Sequence, residues 1–163
     1  PSIELRLEPD QLALYWMPTV SLPAGNTEPY SVALGWQTVA QAFGLRMPTP
    51  LSLENAIATV EDAVMPASRW LTKPPAGTAP PFTLHTRSPL LREVAEVAGV
   101  ALSTPPARLS RQALENLFNR LSDQIHRPGV PDTALPQRAE WAAALLILRE
   151  ALHHWGVEWV ELG

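Results

Sequence analysis

The sequence predicts an α/β fold, a mixed β-sheet with helices packed on it. Three strand-like segments come first, a fourth lies between helical segments, and a fifth ends the chain after a long apolar helix. Strands that alternate with helices in this way are typical of a sheet covered by helices. A chain of 163 residues is long enough for a real core. With no internal repeat, residues 1–163 are expected to form a single domain.

The amino-terminal strands predict a hairpin that continues into a meander. In residues 2–8, Ile3, Leu5 and Leu7 alternate with polar side chains, which is typical of a half-buried strand. A second strand over residues 11–20 closes the hairpin. A third short strand over residues 30–34 follows an exposed loop at 21–30.

Helical segments fill the next part of the chain. A short helix is predicted over residues 35–43, and a longer one from Leu53 to about Trp70, with Ser52 as its cap. Pro66 should kink or split this second helix. The Pro-rich stretch 72–81 is interpreted as a surface loop rather than a linker between domains.

The central stretch, residues 82–99, holds the first candidate site. A short buried strand over 82–86 leads into a polar loop, and Ser88 and Pro89 then begin a helix that ends at Gly99. Such a loop, between the carboxyl end of a strand and the amino end of a helix, is where α/β proteins bind anions. Arg87 adds a positive charge there. The alternative is an ordinary strand–helix connection.

The carboxyl-terminal half adds helices and one strand. The predicted elements are a proline-rich break at 103–107, a helix at 111–125 capped by Ser110, a loop at 127–136, an apolar helix at 137–155 and a strand at 157–162. Because the helix at 137–155 is apolar on most faces, it is expected to be buried on several sides.

Composition excludes several classes of function. The formal net charge of -4 argues against a general nucleic-acid binder, because duplex affinity depends on neutralised phosphates. The absence of cysteine excludes disulfides, thiolate metal sites and a cysteine nucleophile. No apolar run could span a membrane and no signal peptide is visible, so a cytoplasmic protein is the default expectation. Only 17% of residues are charged, so either much of the surface is unusually apolar or part of it meets a partner.

Motifs for catalysis are absent or weak. There is no Walker loop, no G-x-G-x-x-G and no G-x-S-x-G elbow. His153 and His154 are adjacent, so on a helix they point about 100° apart and do not share a metal comfortably. Paired carboxylates are not evident, and Glu61 and Asp62 are interpreted as a solvated helix face. No catalytic residue and no metal ligand is therefore assigned.

Several strings nevertheless resemble, in order and spacing, those of one protein family. They are Ser2-Ile3-Glu4-Leu5, like the end of a D-I-G-G-G-S-T-E-L motif; residues 31–35 before Phe43, like S-L-P-L-G; residues 84–91, in place of a G-x-S-G-T-I loop; residues 109–115, like L-T-x-E-x-L-E; residues 136–140 with 146–148, like R-A-D…A-G-A-x-I-L; and residues 156–160, like G-V-E-x-V. The chain resembles the second domain of the exopolyphosphatase / guanosine pentaphosphate phosphohydrolase (Ppx/GppA) family.

This resemblance implies a ribonuclease H-like domain of the actin/Hsp70/sugar-kinase superfamily and a link to phosphoanhydride hydrolysis. It implies phosphate contacts at Thr86, Arg87 and Ser88, with Ser2 near the phosphate motif, and Mg²⁺ as a possible cofactor. The central glycines are replaced and D-I-G-G-G is missing. Because glycines let backbone N–H groups approach phosphate closely, these departures put catalysis in doubt.

Two hypotheses follow. The first is a Ppx/GppA-related phosphatase domain, acting on polyphosphate or guanosine penta- or tetraphosphate and incomplete without a second polypeptide or domain. The second is a non-catalytic ligand-binding or interaction module. In that case a homodimer partner or a second ribonuclease H-like domain would cover the face that the family's first domain occupies.

Overall fold

A computed structural model describes residues 1–17, 28–74, 81–130 and 132–163. The elements are β1 (Ser2–Leu7), β2 (Leu12–Trp16), β3 (Tyr30–Val32), α1 (Trp36–Ala42), α2 (Pro50–Val64), α3 (Ala67–Leu71), β4 (Thr83–Thr86), α4 (Pro89–Val97), β5 (Ala107–Ser110), α5 (Arg111–His126), α6 (Ala139–Trp155) and β6 (Trp159–Leu162). Within the described ranges, no helix combines the length and apolarity needed to cross a membrane.

The six strands form one mixed sheet in the order β3-β2-β1-β4-β6-β5. The three central strands β1, β4 and β6 are parallel, and β2, β3 and β5 pair antiparallel. The predicted α/β class with a mixed sheet and an amino-terminal hairpin is confirmed.

The described helices form a layer on one face of the sheet. The connections from β1 to β4 and from β4 to β6 both move toward the β5 edge of the sheet. Because crossovers between parallel strands are right-handed, the helices of both connections lie on the same face of the sheet. At the centre of this layer, α6 contacts each of α1 to α5. Residues 141–148 are at most 1% exposed, which confirms that the apolar helix is buried on several sides.

The two faces of the sheet differ in chemistry. Ile3, Leu5, Leu84 and Val160 point toward the helices and are at most 1% exposed. Their alternating neighbours on the other face are polar. In register across β2, β1, β4, β6 and β5 these are Tyr15, Glu4, His85, Glu161 and Arg108. We call this second face the polar sheet face.

The second helix differs from its prediction at its start. It begins at Pro50, and the hydroxyl of Thr49 accepts a hydrogen bond from the Ser52 backbone N–H at 3.1 Å. Ser52 is therefore the third helical residue of a capping box and not the cap. As predicted, Pro66 splits the segment, because α2 ends at Val64 and α3 begins at Ala67.

One strand was missed. β5 pairs antiparallel with β6, and its Leu109 is fully buried. The sequence favoured only a proline break up to Ala107, because a four-residue segment with alanine and arginine carries little strand signal. Ser110 caps α5 as predicted, since its hydroxyl accepts from the Ala113 N–H at 3.1 Å.

Other boundaries shift by a few residues. The second strand ends at Trp16, the last helix begins at Ala139, and the last strand begins at Trp159. The proposed extension of the second strand through residues 18–20 lies outside the described residues. So do most of the loop predicted at 21–30 and residues 75–80 of the loop predicted at 72–81.

Gly35 lets the turn after β1 pack against the start of α1. The N–H groups of Trp36 and Gln37 donate to the carbonyls of Glu8 and Pro9 at 3.1 and 2.9 Å. A Cβ at Gly35 would lie 2.2 Å from the Glu8 oxygen, so only glycine permits this approach. The first turn of α1 is therefore capped by backbone carbonyls and does not offer these N–H groups to an anion.

Candidate functional site

The candidate site lies at the edge of the sheet where the parallel strands end. Leu7 ends β1, Thr86 ends β4 and Leu162 ends β6. The turn at residues 8–11, the loop of Arg87 and Ser88, and Gly163 follow these ends. Ligands of open α/β sheets bind outside the carboxyl ends of such strands, so the predicted anion loop lies at the edge expected for a ligand.

Thr86 is fully buried and its hydroxyl is used within the fold. The hydroxyl donates to the carbonyl of Leu5 at 2.8 Å and accepts from the N–H of Ser88 at 3.2 Å. These two bonds join the loop to β1. Among the four predicted phosphate ligands, Thr86 therefore lies beneath the surface and positions the other residues of the loop.

Ser88 has a different environment. It occupies the N-cap position of α4, but its hydroxyl accepts from the Leu7 N–H at 2.9 Å and makes no cap bond to the helix. A hydroxyl that accepts still has one hydrogen to donate. Pro89 carries no N–H, so the first N–H groups of α4 come from Leu90 and Leu91, and neither has a partner within the helix.

Arg87 is the exposed member of the loop. Its side chain extends along Gly163. A Cβ added to Gly163 would lie 3.3 Å from the Cγ and 3.4 Å from the Nε of Arg87. The Gly163 N–H donates to the Thr86 carbonyl at 2.9 Å. Within the described part of the chain, Arg87 forms no ion pair with a carboxylate. Its guanidinium is therefore available to an anion.

A depression of about 220 Å³ on the polar sheet face is lined by three of the four predicted residues. It is lined by Ser2, Glu4, Met17, His85, Thr86, Arg87 and Gly163. Ser2 pairs in register with Thr83, so it lies at the opposite end of β1 from Leu7, about 16 Å away at strand rise. The structure thus places Ser2, Thr86 and Arg87 around one depression. Ser88 is not among its lining residues and is bonded to Leu7, at the end of β1 opposite Ser2.

The carboxylates of this face are neutralised by neighbouring groups. Glu4 accepts from Arg6 at 2.9 Å, and Glu161 lies 2.8 Å from Arg108 and 3.3 Å from His85 Nδ1. The hydrogen bond to Glu4 raises the pKa of Arg6. Neither carboxylate is free to activate water.

Sequence reasoning missed the roles of Glu4, His85 and Glu161. Alternation in β1 and β4 was enough to place Glu4 and His85 away from the helices. The pairing of these strands with β6, which brings Glu161 beside His85, is a tertiary fact without a local signal.

A second cluster lies in the helical layer. In the described part of the chain, Glu61, Glu150 and His154 are the only group of three whose ligand atoms all lie within 4.8 Å of one another. No local pattern connects them, because Glu61 lies about ninety residues before the other two and was interpreted as part of a solvated helix face.

Comparisons with known proteins identify the fold. No protein-family model and no curated protein sequence matches the chain. A solved structure of the Aquifex aeolicus Ppx/GppA enzyme matches with a TM-score of 0.66 at 12% identity, over 100% of this chain and 54% of the other. The type II variant of the Aquifex aeolicus Ppx/GppA phosphatase gives 0.62 at 12% identity, again over 100% and 54%. An exopolyphosphatase-like protein gives 0.63 at 16% identity, over 99% and 52%.

The chain thus spans about half the length of the solved structures that it matches. That share agrees with the resemblance to the second domain of the family. At these identities the likeness shows the fold, and it confirms the predicted architecture. The chain has the ribonuclease H-like α/β fold found in one half of the Ppx/GppA phosphatases.

Proposed function

We propose that this chain is a phosphate-binding domain of a Ppx/GppA-type phosphohydrolase that acts on polyphosphate or guanosine penta- or tetraphosphate. The observation that carries the proposal is the Arg87–Ser88 loop. It follows the central strand β4, at the edge of the sheet where the parallel strands end, in a fold like that of the Ppx/GppA enzyme. Among the described residues no carboxylate pairs with the Arg87 guanidinium, and the Ser88 hydroxyl has a hydrogen to donate.

The chemistry of the loop suits a phosphoryl oxygen. A guanidinium binds oxyanions through two parallel hydrogen bonds. Ser88 donates a further bond, and the first turn of α4 adds a favourable dipole. Binding through side chains replaces the close backbone approach that glycines would allow.

Magnesium suits the adjacent turn. The turn contains the carboxylates of Asp10 and of Glu8, which also accepts a hydrogen bond from the Gln11 amide at 2.6 Å. Mg²⁺ is usually held by one or two carboxylates together with substrate phosphates. When bound, the ion would neutralise phosphate charge. The residues of the chain would hold and orient the anion beside it.

The domain is not catalytically complete in this proposal. On the polar sheet face, Glu4, which lines the depression, and Glu161 are both paired with arginines, and the matched structures are about twice as long. The group that activates water would come from a second domain or polypeptide.

The test measures binding and hydrolysis by the protein that carries this chain. With Mg²⁺ and tripolyphosphate, Arg87→Ala should weaken binding by about tenfold or more, because a charge-assisted hydrogen bond contributes about 1.5–3 kcal/mol. Arg127→Ala, an exposed arginine beyond α5, is the matched control and should bind as the parent does. Equal affinity of Arg87→Ala and the parent, or no binding and no phosphate release at saturating ligand, would refute the proposal.

The polar sheet face favours a second candidate function, a non-catalytic interaction module. The described helices all lie on the opposite face, and this one presents Trp159, Arg108 and Arg6 to solvent. The proposed partner is a second copy or another ribonuclease H-like domain. Analytical ultracentrifugation should then show a dimer or heteromer that Arg108→Glu weakens. A strict monomer with no partner in its native complex would reject this function.

A further inference from the structure

We propose that Glu61, Glu150 and His154 form a binding site for a divalent transition-metal ion of the zinc class, between α2 and α6. The site lies within the helical layer. It is separate from the phosphate loop and does not depend on the function proposed above. Two carboxylate oxygens and one imidazole nitrogen are among the ligand types that Zn²⁺ takes in proteins.

The distances fit a metal centre. His154 Nε2 lies 3.3 Å from a Glu150 oxygen and 3.6 Å from a Glu61 oxygen. Ligand atoms about 2.0–2.1 Å from a tetrahedral zinc ion are about 3.3–3.4 Å apart. All three atoms lie within 4.8 Å of one another. Glu61 keeps 42% of its side chain exposed, so its carboxylate can rotate and shorten the 3.6 Å distance to His154 Nε2.

The helices hold the three residues in place. Glu150 and His154 are four residues apart on α6 and so occupy one face of it. Glu61 reaches them from α2, which packs on α6. The indole of Trp155, the residue after His154, donates to the carbonyl of Val64, three residues after Glu61, at 2.8 Å. This bond fixes α2 against α6 close to the site.

Burial and charge favour a cation at this point. The Glu150 side chain is 3% exposed, and a buried carboxylate requires a charged partner. Arg149 bonds one of its oxygens, and the other oxygen faces His154. Arg149 is held in turn by Glu115 at 2.9 and 3.0 Å. Such outer partners orient ligands in metal sites.

A fourth ligand position remains for water, since the chain supplies three donors. A site of this kind is an open zinc site with two carboxylates and one histidine. A proton on His154 competes with the metal for the same position, and the experiment has to distinguish the two occupants.

The test is a titration of the chelator-treated protein with Co²⁺, followed by displacement with Zn²⁺. We expect one Co²⁺ per chain, the visible absorption of a tetrahedral ion, and a higher melting temperature with Zn²⁺. His154→Gln and Glu61→Gln should each weaken binding by more than about tenfold, since even outer-shell partners contribute 10–100-fold.

The adjacent His153 provides a matched control. It lies on the same helix, is exposed, and contacts the cluster only through the edge of its ring against His154. His153→Gln should bind Co²⁺ as the parent does. Glu61→Gln changes a partly exposed side chain at nearly constant size, so a loss of Co²⁺ binding can be measured in a protein whose helicity by circular dichroism is unchanged. The proposal would be overturned if the parent bound no stoichiometric Co²⁺, or if His153→Gln lost as much Co²⁺ affinity as His154→Gln. The cluster would then be only an ion pair between His154 and the two carboxylates.

Discussion

Replacing Arg149 by methionine should destabilise the protein more than replacing any other arginine of the described structure. Its guanidinium bonds both oxygens of Glu115 at 2.9 and 3.0 Å, bonds Glu150, and stacks over the Phe118 ring at 4.5 Å. Methionine keeps the apolar stem and removes every polar contact. Glu150, which is 2% exposed, then loses its arginine partner.

The magnitude follows from that burial. Removing one partner of a buried ion pair costs about 3–5 kcal/mol, because the other charge remains in the core. A domain has only about 5–15 kcal/mol of stability in total. Urea unfolding of the chelator-treated protein, followed by circular dichroism, should therefore show a midpoint about 1.5–2.5 M lower, with an unchanged slope of about 2 kcal/mol/M.

A double variant separates the two contributions to this loss. Arg149→Met with Glu150→Gln removes the stranded charge and should recover more than about 1 kcal/mol relative to Arg149→Met alone. A loss below about 1 kcal/mol in Arg149→Met, or a double variant no more stable than the single one, would refute the assignment of the cost to Glu150.

Two further predictions concern the loop and the pH dependence. Ser88→Ala removes the acceptor of the Leu7 N–H and should lower the free energy of unfolding by about 1–3 kcal/mol in urea titrations; an unchanged midpoint would show that water replaces the hydroxyl. The hydrogen bond from Arg149 lowers the pKa of Glu115 below its usual 4.5. The stability it contributes is present above pH 4.5 and is lost as pH falls through the lower folded value. Arg149→Met should therefore show a flatter stability profile below pH 4.5, and parallel profiles would contradict this.

Much of the fold could be predicted because its signals are local. Alternation in residues 2–8 predicted β1, and the apolar run at 141–148 predicted a buried helix. Pro66 separates two helices because proline removes a helical hydrogen bond. Gly156 ends α6 at a φ of 66°, the left-handed conformation that glycine adopts without strain.

The errors lie where tertiary contacts outweigh local preference. β5 is only four residues long, and its strand conformation depends on pairing with β6. The start of α2 was placed three residues late because Thr49 and Ser52 are both acceptable caps, and the proline between them fits the first helical position.

The position of the Arg87–Ser88 loop between a strand and a helix was predicted, but its hydrogen bonds were not; phosphate binding there stays a prediction. A strand followed by Ser-Pro at a helix start identified the loop. The hydroxyl partners of Thr86 and Ser88 are the backbone groups of Leu5 and Leu7, 81 residues away in sequence. No local pattern reports on such contacts, so the sequence could not distinguish Arg87, which is exposed, from its two neighbours, whose hydroxyls bond to β1.

This difference between the three residues links the two candidate functions. With Thr86 buried and Ser88 bonded to β1, Arg87 is the group that can reach outward, and it does so over the polar sheet face. Arg87 is exposed, and a guanidinium in water binds an anion weakly because water and salt screen the charge. A partner domain seated on the polar sheet face would exclude that water and strengthen the same contact. We therefore expect phosphate affinity at Arg87 to be higher in the complex with a partner on this face than in the isolated chain, and equal affinities would refute a contribution of the partner to the proposed site.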